Sequence, residues 1–259
     1  MSVAQVDRAA YVTAARVLLI VLGCAALAWG ASVLPGFWRQ ASMERTAARI
    51  VAGDPFKPGV LVDLAPVLEA TEKSAYCRPS ALRSAAIVRL RLAEQAVASG
   101  DRQLVDAQMT SAHDSIRNAL SCSPADPFLW LALFGVESTQ RGFSAEQLEY
   151  IRMSYRLGPH EGWVALRRNH ISFALFEQLP SNLAEAAIGE FVALLEAGLY
   201  RQAVEIFTGP AWPVRDLILP RLKDVAQRDR RRFADALHGR GYDVAVPGVD
   251  RSAQPRPWH

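Results

Sequence analysis

Apolar and polar positions follow one another with helical spacing along most of the chain, and one stretch departs from that rhythm. From Val17 to Trp38 no charged residue occurs, and Arg16 and Arg39 bracket the run. A helix rising about 1.5 Å per residue needs roughly 20 apolar residues to cross about 30 Å of hydrocarbon, so the run is long enough for one membrane span. Pro35-Gly36 is expected to end the helix there. Two rival readings use the same residues: a cleaved leader with a small-x-small site at Ala26-Leu27-Ala28, and a lipobox at Val21-Leu22-Gly23-Cys24.

Beyond the run the punctuation is that of helices. Gly53-Asp54-Pro55 and Pro58-Gly59 break a short helix, and Asp63 with Pro66 opens the next. Pro79 starts a long helix with Leu82, Ala86, Leu90, Ala93 and Val97 on one face. Ser99-Gly100-Asp101 interrupts it, and Met109, Ala112, Ile116, Ala119 and Leu120 continue the stripe, so an αα-hairpin turning at Gly100 is expected. Asp126-Pro127 supplies an N-cap and an N1 proline for a helix ended by Gly142, and Ser144 to Gln147 reads as a capping box for the one after it. Further helices are expected over 162–176, 183–197, 200–207, 214–227 and 229–238, with no convincing strand pattern. The expected organisation is a tail over 1–16, an anchor over 17–38, a linker with short helices over 39–78, a helical-repeat domain over 79–249 and a disordered tail over 250–259.

A repeat emerges once these helices are set out. Ala119 to Pro124, followed by Trp130 and Leu133, recurs as Ser154 to Pro159, followed by Trp163 and Leu166. The period resembles the roughly 34-residue tetratricopeptide repeat, which places Trp and Leu on its first helix and a proline at the end of its second. Phe134 and Glu146 depart from that pattern, which prefers glycine and alanine there. The resemblance implies an all-α solenoid of antiparallel helix pairs, a fold that binds other proteins on a concave surface. The stretch Leu157 to Asn169 is also similar to one found in single-span envelope proteins of alphaproteobacteria, some linked with surface-polysaccharide assembly.

Composition narrows the setting. The chain is 51% hydrophobic and 21% charged with a formal net charge of +3, which suits a globular body and gives no sign of disorder. Arg8 and Arg16 before the run balance Arg39, Arg45 and Arg49 after it, so local charge leaves the orientation open. The short segment before a first apolar run favours an N-terminus in the cytoplasm and the body in the periplasm, anchored in the inner membrane by a single pass. Nucleic acid is not expected as a partner: Arg228 to Arg232 is the one dense basic run, and a solvated helix face accounts for it.

No catalytic residue, metal site or cofactor is expected, because no phosphate loop, nucleophile elbow, dinucleotide fingerprint or helically spaced His pair occurs. His160 and Glu161 form an inter-helix turn. With Arg167, Arg168 and Asn169 they are read as an exposed contact for an envelope protein partner, since guanidinium forks suit carboxylate and backbone acceptors. The function expected is therefore a membrane-anchored scaffold or adaptor, not an enzyme. The alternatives are an accessory subunit that contacts envelope polysaccharide directly and, behind it, an enzyme whose motif is not recognised. Cys77 and Cys122 lie at similar distances on either side of the Gly100 turn, which returns both to one end of the hairpin. A disulfide between them is expected, and with it an oxidising compartment.

Overall fold

The computed structural model describes residues 3–57, 59–159 and 161–249, and within them all regular structure is helical. The expected tail at 250–259 lies outside them. Contacts divide the chain into two compact units, one ending at Asn118 and the other beginning at Ala119.

The first unit opens with α1, Val3–Val51, which carries the apolar run. Its segment Ala14–Ser32 is apolar and long enough to cross a membrane and is bare of protein contact. Pro35-Gly36 does not end the helix, contrary to the sequence expectation. A proline inside a helix removes one hydrogen bond, and the ladder on either side continues when other contacts hold it. Here Met43 and Ala47, further along α1, are fully buried. α1 packs on α3, Pro79–Ser99, while α2, Ala65–Glu72, lies against both. Pro79 stands at the start of α3, and Gly100 ends it at φ 74°, a left-handed conformation open to glycine at little cost. Asp101 then accepts from the Leu104 amide at 3.2 Å and starts α4, Arg102–Cys122.

The expected apolar face of α3 is only partly right. Leu90 is half-buried and Val97 is exposed, whereas Ala81, Leu82 and Ser84 to Val88 are all buried. Packing against both α1 and α2 buries this end of α3 on several sides, so a single stripe underestimates it.

In the second unit, α5, Pro127–Arg141, packs on α6, Leu148–Leu157. Asp126 caps α5 by accepting from the Phe128 and Leu129 amides at 2.9 and 3.2 Å. The capping box at Ser144 and Gln147 is present, in a short 3-10 turn that leads into α6. Next come α7, Gly162–Ala174, and α8, Ser181–Glu196, packed on each other. Then follow α9, Tyr200–Thr208, the single turn α10, Arg215–Ile218, and α11, Gln227–Gly239. The short helix expected over 214–227 is replaced by α10 between two 3-10 segments containing Pro213 and Pro220. Neither ring leaves an amide for an unbroken α-helical ladder. The core centres on Phe191, Phe207 and Phe233 of α8, α9 and α11, whose ring centroids lie 5.4–6.0 Å apart.

Candidate functional site

The residues expected to meet a partner do not share one surface. His160 lies outside the described residues. Glu161 and Arg167 are exposed, but Arg168 and Asn169 are fully buried, which overturns their placement on an exposed contact. The reason is helical phase. Along α7, Val164, Arg168 and Ser172 fall on one buried line and Ala165, Asn169 and Phe173 on the next.

Arg168 uses its whole guanidinium. Nε donates to Glu190 Oε1 of α8 at 3.1 Å, and Nη2 donates to the same carboxylate. Nη1 donates to the Ser154 carbonyl and hydroxyl at 2.6 and 3.0 Å, and Nη2 also donates to the Gly158 carbonyl at 3.0 Å. Those carbonyls belong to the C-terminal end of α6, where the helix dipole favours a cation, and the Ser154 carbonyl also accepts from the Gly158 amide at 3.1 Å. The ring of Tyr155 lies 4.2 Å below the guanidinium, and its hydroxyl meets Ser172 Oγ at 3.1 Å. Asn169 Nδ2 donates to the Ala187 carbonyl at 2.8 Å, tying α7 to α8 a second time. Burial pushes the Glu190 carboxyl above its ordinary value, against the opposing pull of Arg168. Burial likewise pushes the Tyr155 hydroxyl up. A charge with all five donors engaged has none left for a ligand, so this knot joins helices. Gly158 completes it, since a Cβ there would run into the Pro127 ring of α5.

A cavity of about 360 Å³ is lined by Glu72, Arg89, Ser111, Asp114, Ser115 and Asn118, from α2, α3 and α4. Arg89 grips Glu72 with a two-pronged pair, Nε to Oε1 at 3.0 Å and Nη2 to Oε2 at 2.8 Å. The Glu72 carboxylate holds the Arg89 guanidinium more firmly protonated. Asn118 Nδ2 donates to the Glu72 carbonyl at 2.9 Å and fixes the end of α2. Ser115 is only 3% exposed, and its buried hydroxyl has no protein partner. The lining offers hydroxyl, amide and carboxylate groups, a set suited to hydrogen-bonding a small hydroxylated molecule. The sequence reading missed these residues. Their signal was a polar line at Ser111, Ser115 and Asn118, one i, i+4, i+7 face of α4.

Cys77, in the turn before α3, and Cys122, the last residue of α4, are each disulfide-bonded, whereas Cys24 is a free thiol. Arg167, next to the knot, leans over the rings of Trp163 and Phe128 at 5.7 and 6.0 Å. Compared with protein-family models, curated proteins and solved structures, the chain matches none of them.

Proposed function

We propose that this chain is a membrane-anchored helical scaffold that docks another protein in the bacterial envelope, with residues 17–38 in the inner membrane and the body in the periplasm. The observation that carries the reading is the continuity of α1: the helix that bears the apolar run also buries Met43 and Ala47 in the body. An anchor built into the core fixes the body at a membrane instead of releasing it. The successive pairs α5 with α6 and α7 with α8 fit a worn tetratricopeptide-like arrangement, whose exposed helix faces take protein partners. Glu161 and Arg167 remain as contact residues on this reading. The disulfide-bonded state of Cys77 and Cys122 supports an oxidising compartment for the body. The scaffold binds and positions, without catalysis of its own, and surface-polysaccharide assembly is the process it would serve.

Co-purification from solubilised membranes tests the reading. A stoichiometric protein partner, lost on Arg167→Ala, is the expected result; recovery of the chain alone, or with glycan only, would overturn it. The α2–α4 cavity favours a second reading, direct contact with polysaccharide, because its hydrogen-bonding groups match sugar hydroxyls. Retained glycan that disappears on Ser115→Val would mark that outcome.

A further inference from the structure

The hydrogen bond from Arg78 Nη1 to Gln40 Oε1, 3.0 Å long, sets the first residues of α3 beside α1 just past Trp38. α3 packs on α1, and its 21 residues make it about 30 Å long. Running from Gln40 toward the N-terminus, it would cover the apolar segment. That segment is bare over Ala14–Ser32. α3 therefore runs the other way, beside buried Met43 and Ala47, and carries Gly100 to the far end of the unit. The turn over 73–78, between α2 and α3, is the end of the unit nearest the apolar run.

Two aromatic side chains stand out at this end: Tyr76 is 80% exposed and Trp38 is 71% exposed. The Tyr76 backbone is held, since its amide donates to Ser74 Oγ at 3.3 Å. A ring with an apolar body and a polar tip, displayed to solvent on a fixed turn, suits the layer between hydrocarbon and water. The depth agrees. That layer is about 5–8 Å thick on each side of about 30 Å of hydrocarbon, and Gln40 lies about 3 Å along the helix beyond Trp38, the last residue of the uncharged run. Lys73, three residues before Tyr76, is exposed and pairs with Glu69 at 3.2 Å.

We propose that the turn between α2 and α3 is seated, through Tyr76 and beside Trp38, in the phospholipid headgroup layer of the bilayer that α1 crosses. The part of the first unit beyond Trp38 then stands on the membrane surface and does not swing from it. This rests on residues 17–38 being a membrane span, and the experiment separates the two ideas. Tyr76, Leu22 and Val97 are replaced one at a time by the photoreactive p-benzoylphenylalanine in the full chain. Each protein is placed in phosphatidylethanolamine–phosphatidylglycerol vesicles and irradiated, and lipid adducts are read by mass spectrometry. Val97, exposed near the Gly100 end, reports the far side of the same unit. Adducts at positions 22 and 76, several-fold above position 97, are the expected result. Adducts at 22 with none above the Val97 level at 76, or with a protein adduct at 76 in native membranes, overturn the seating and leave the span intact. No adduct at 22 removes the span itself and the seating with it.

Discussion

Two of the arginine–glutamate pairs that join helices in this protein do so at different depths. In the second unit the Arg168 and Glu190 side chains are 0% and 6% exposed; in the first, Arg89 and Glu72 are 13% and 18% exposed. Burial strengthens the attraction within a pair but also makes each charge costly to leave alone. The deep pair therefore also needs other groups, and it has them in the Ser154 and Gly158 carbonyls, the Ser154 hydroxyl and the Tyr155 ring. The shallow pair borders a cavity, where water or a ligand can replace a lost partner. Similar chemistry thus makes a fixed joint in one place and an adaptable wall in the other.

Removing the deep cation should show this most strongly. Arg168→Ala leaves Glu190 buried without a counter-ion and strips the end of α6 of its donor, so a loss of about 3–5 kcal/mol is expected. Urea unfolding of the full chain in detergent, followed by circular dichroism, measures it. Arg168→Lys should recover only part, since an ammonium cannot reach the carboxylate and both carbonyls as a fork does. Arg168→Met combined with Glu190→Met should be less damaging than Arg168→Ala alone, because no charge is then stranded. If the double substitution is as harmful as the single one, the carbonyl contacts dominate over the ion pair.

The shallow pair should be more forgiving. Arg89→Ala is expected to lower stability by about 1–2 kcal/mol, the range of a charged hydrogen bond whose acceptor regains water. A loss equal to that of Arg168→Ala in the same unfolding assay would erase the contrast between the two sites.

How much of this could be read from the sequence depends on the kind of signal each residue leaves. Asp126-Pro127, Ser144 with Gln147, and Pro79 with Gly100 act through the local backbone, and the helix boundaries they set were legible. Arg168 and Asn169 were misplaced because charge and polarity were given more weight than phase. The lines 164/168/172 and 165/169/173 were already visible in the sequence. The partners of Arg168 were not, since Glu190 and Ser154 reach it only through the packing of α8 and α6 on α7. The cavity was hidden for the same reason: Glu72, Arg89 and Ser115 come from three helices and share no motif. Pro35 misled in the other direction, because the contacts of Met43 and Ala47 that accompany an unbroken α1 are tertiary.

A smaller effect is expected from pH. Burial raises the Glu190 carboxyl above its ordinary value of 4.5, so between that value and the raised one the folded state holds a proton that the unfolded chain has released. Stability should then fall as pH rises through this window and level off above it. Comparing unfolding midpoints with those of Glu190→Gln isolates the contribution, since the variant lacks this group and keeps the others. An identical pH profile for the two proteins would mean that Arg168 offsets the cost of burial completely.

The smallest effect should come from the neighbour of the most sensitive residue. Arg167 differs from Arg168 by one helical position, or about 100° around α7, and that rotation moves its guanidinium from the core to the surface. Its visible contacts are with ring faces, Trp163 and Phe128, at 5.7 and 6.0 Å. Exposed cation–π contacts contribute about 0.5–1 kcal/mol, and surface substitutions away from special features usually stay within about 0.5 kcal/mol. Arg167→Ala is therefore expected to shift unfolding by no more than about 1 kcal/mol, while the same change at Arg168 costs several times that. Because the fold barely needs Arg167, its loss can report on binding alone. A normal melt with reduced co-purification would assign it to a partner, whereas a large loss of stability would show that it too is structural.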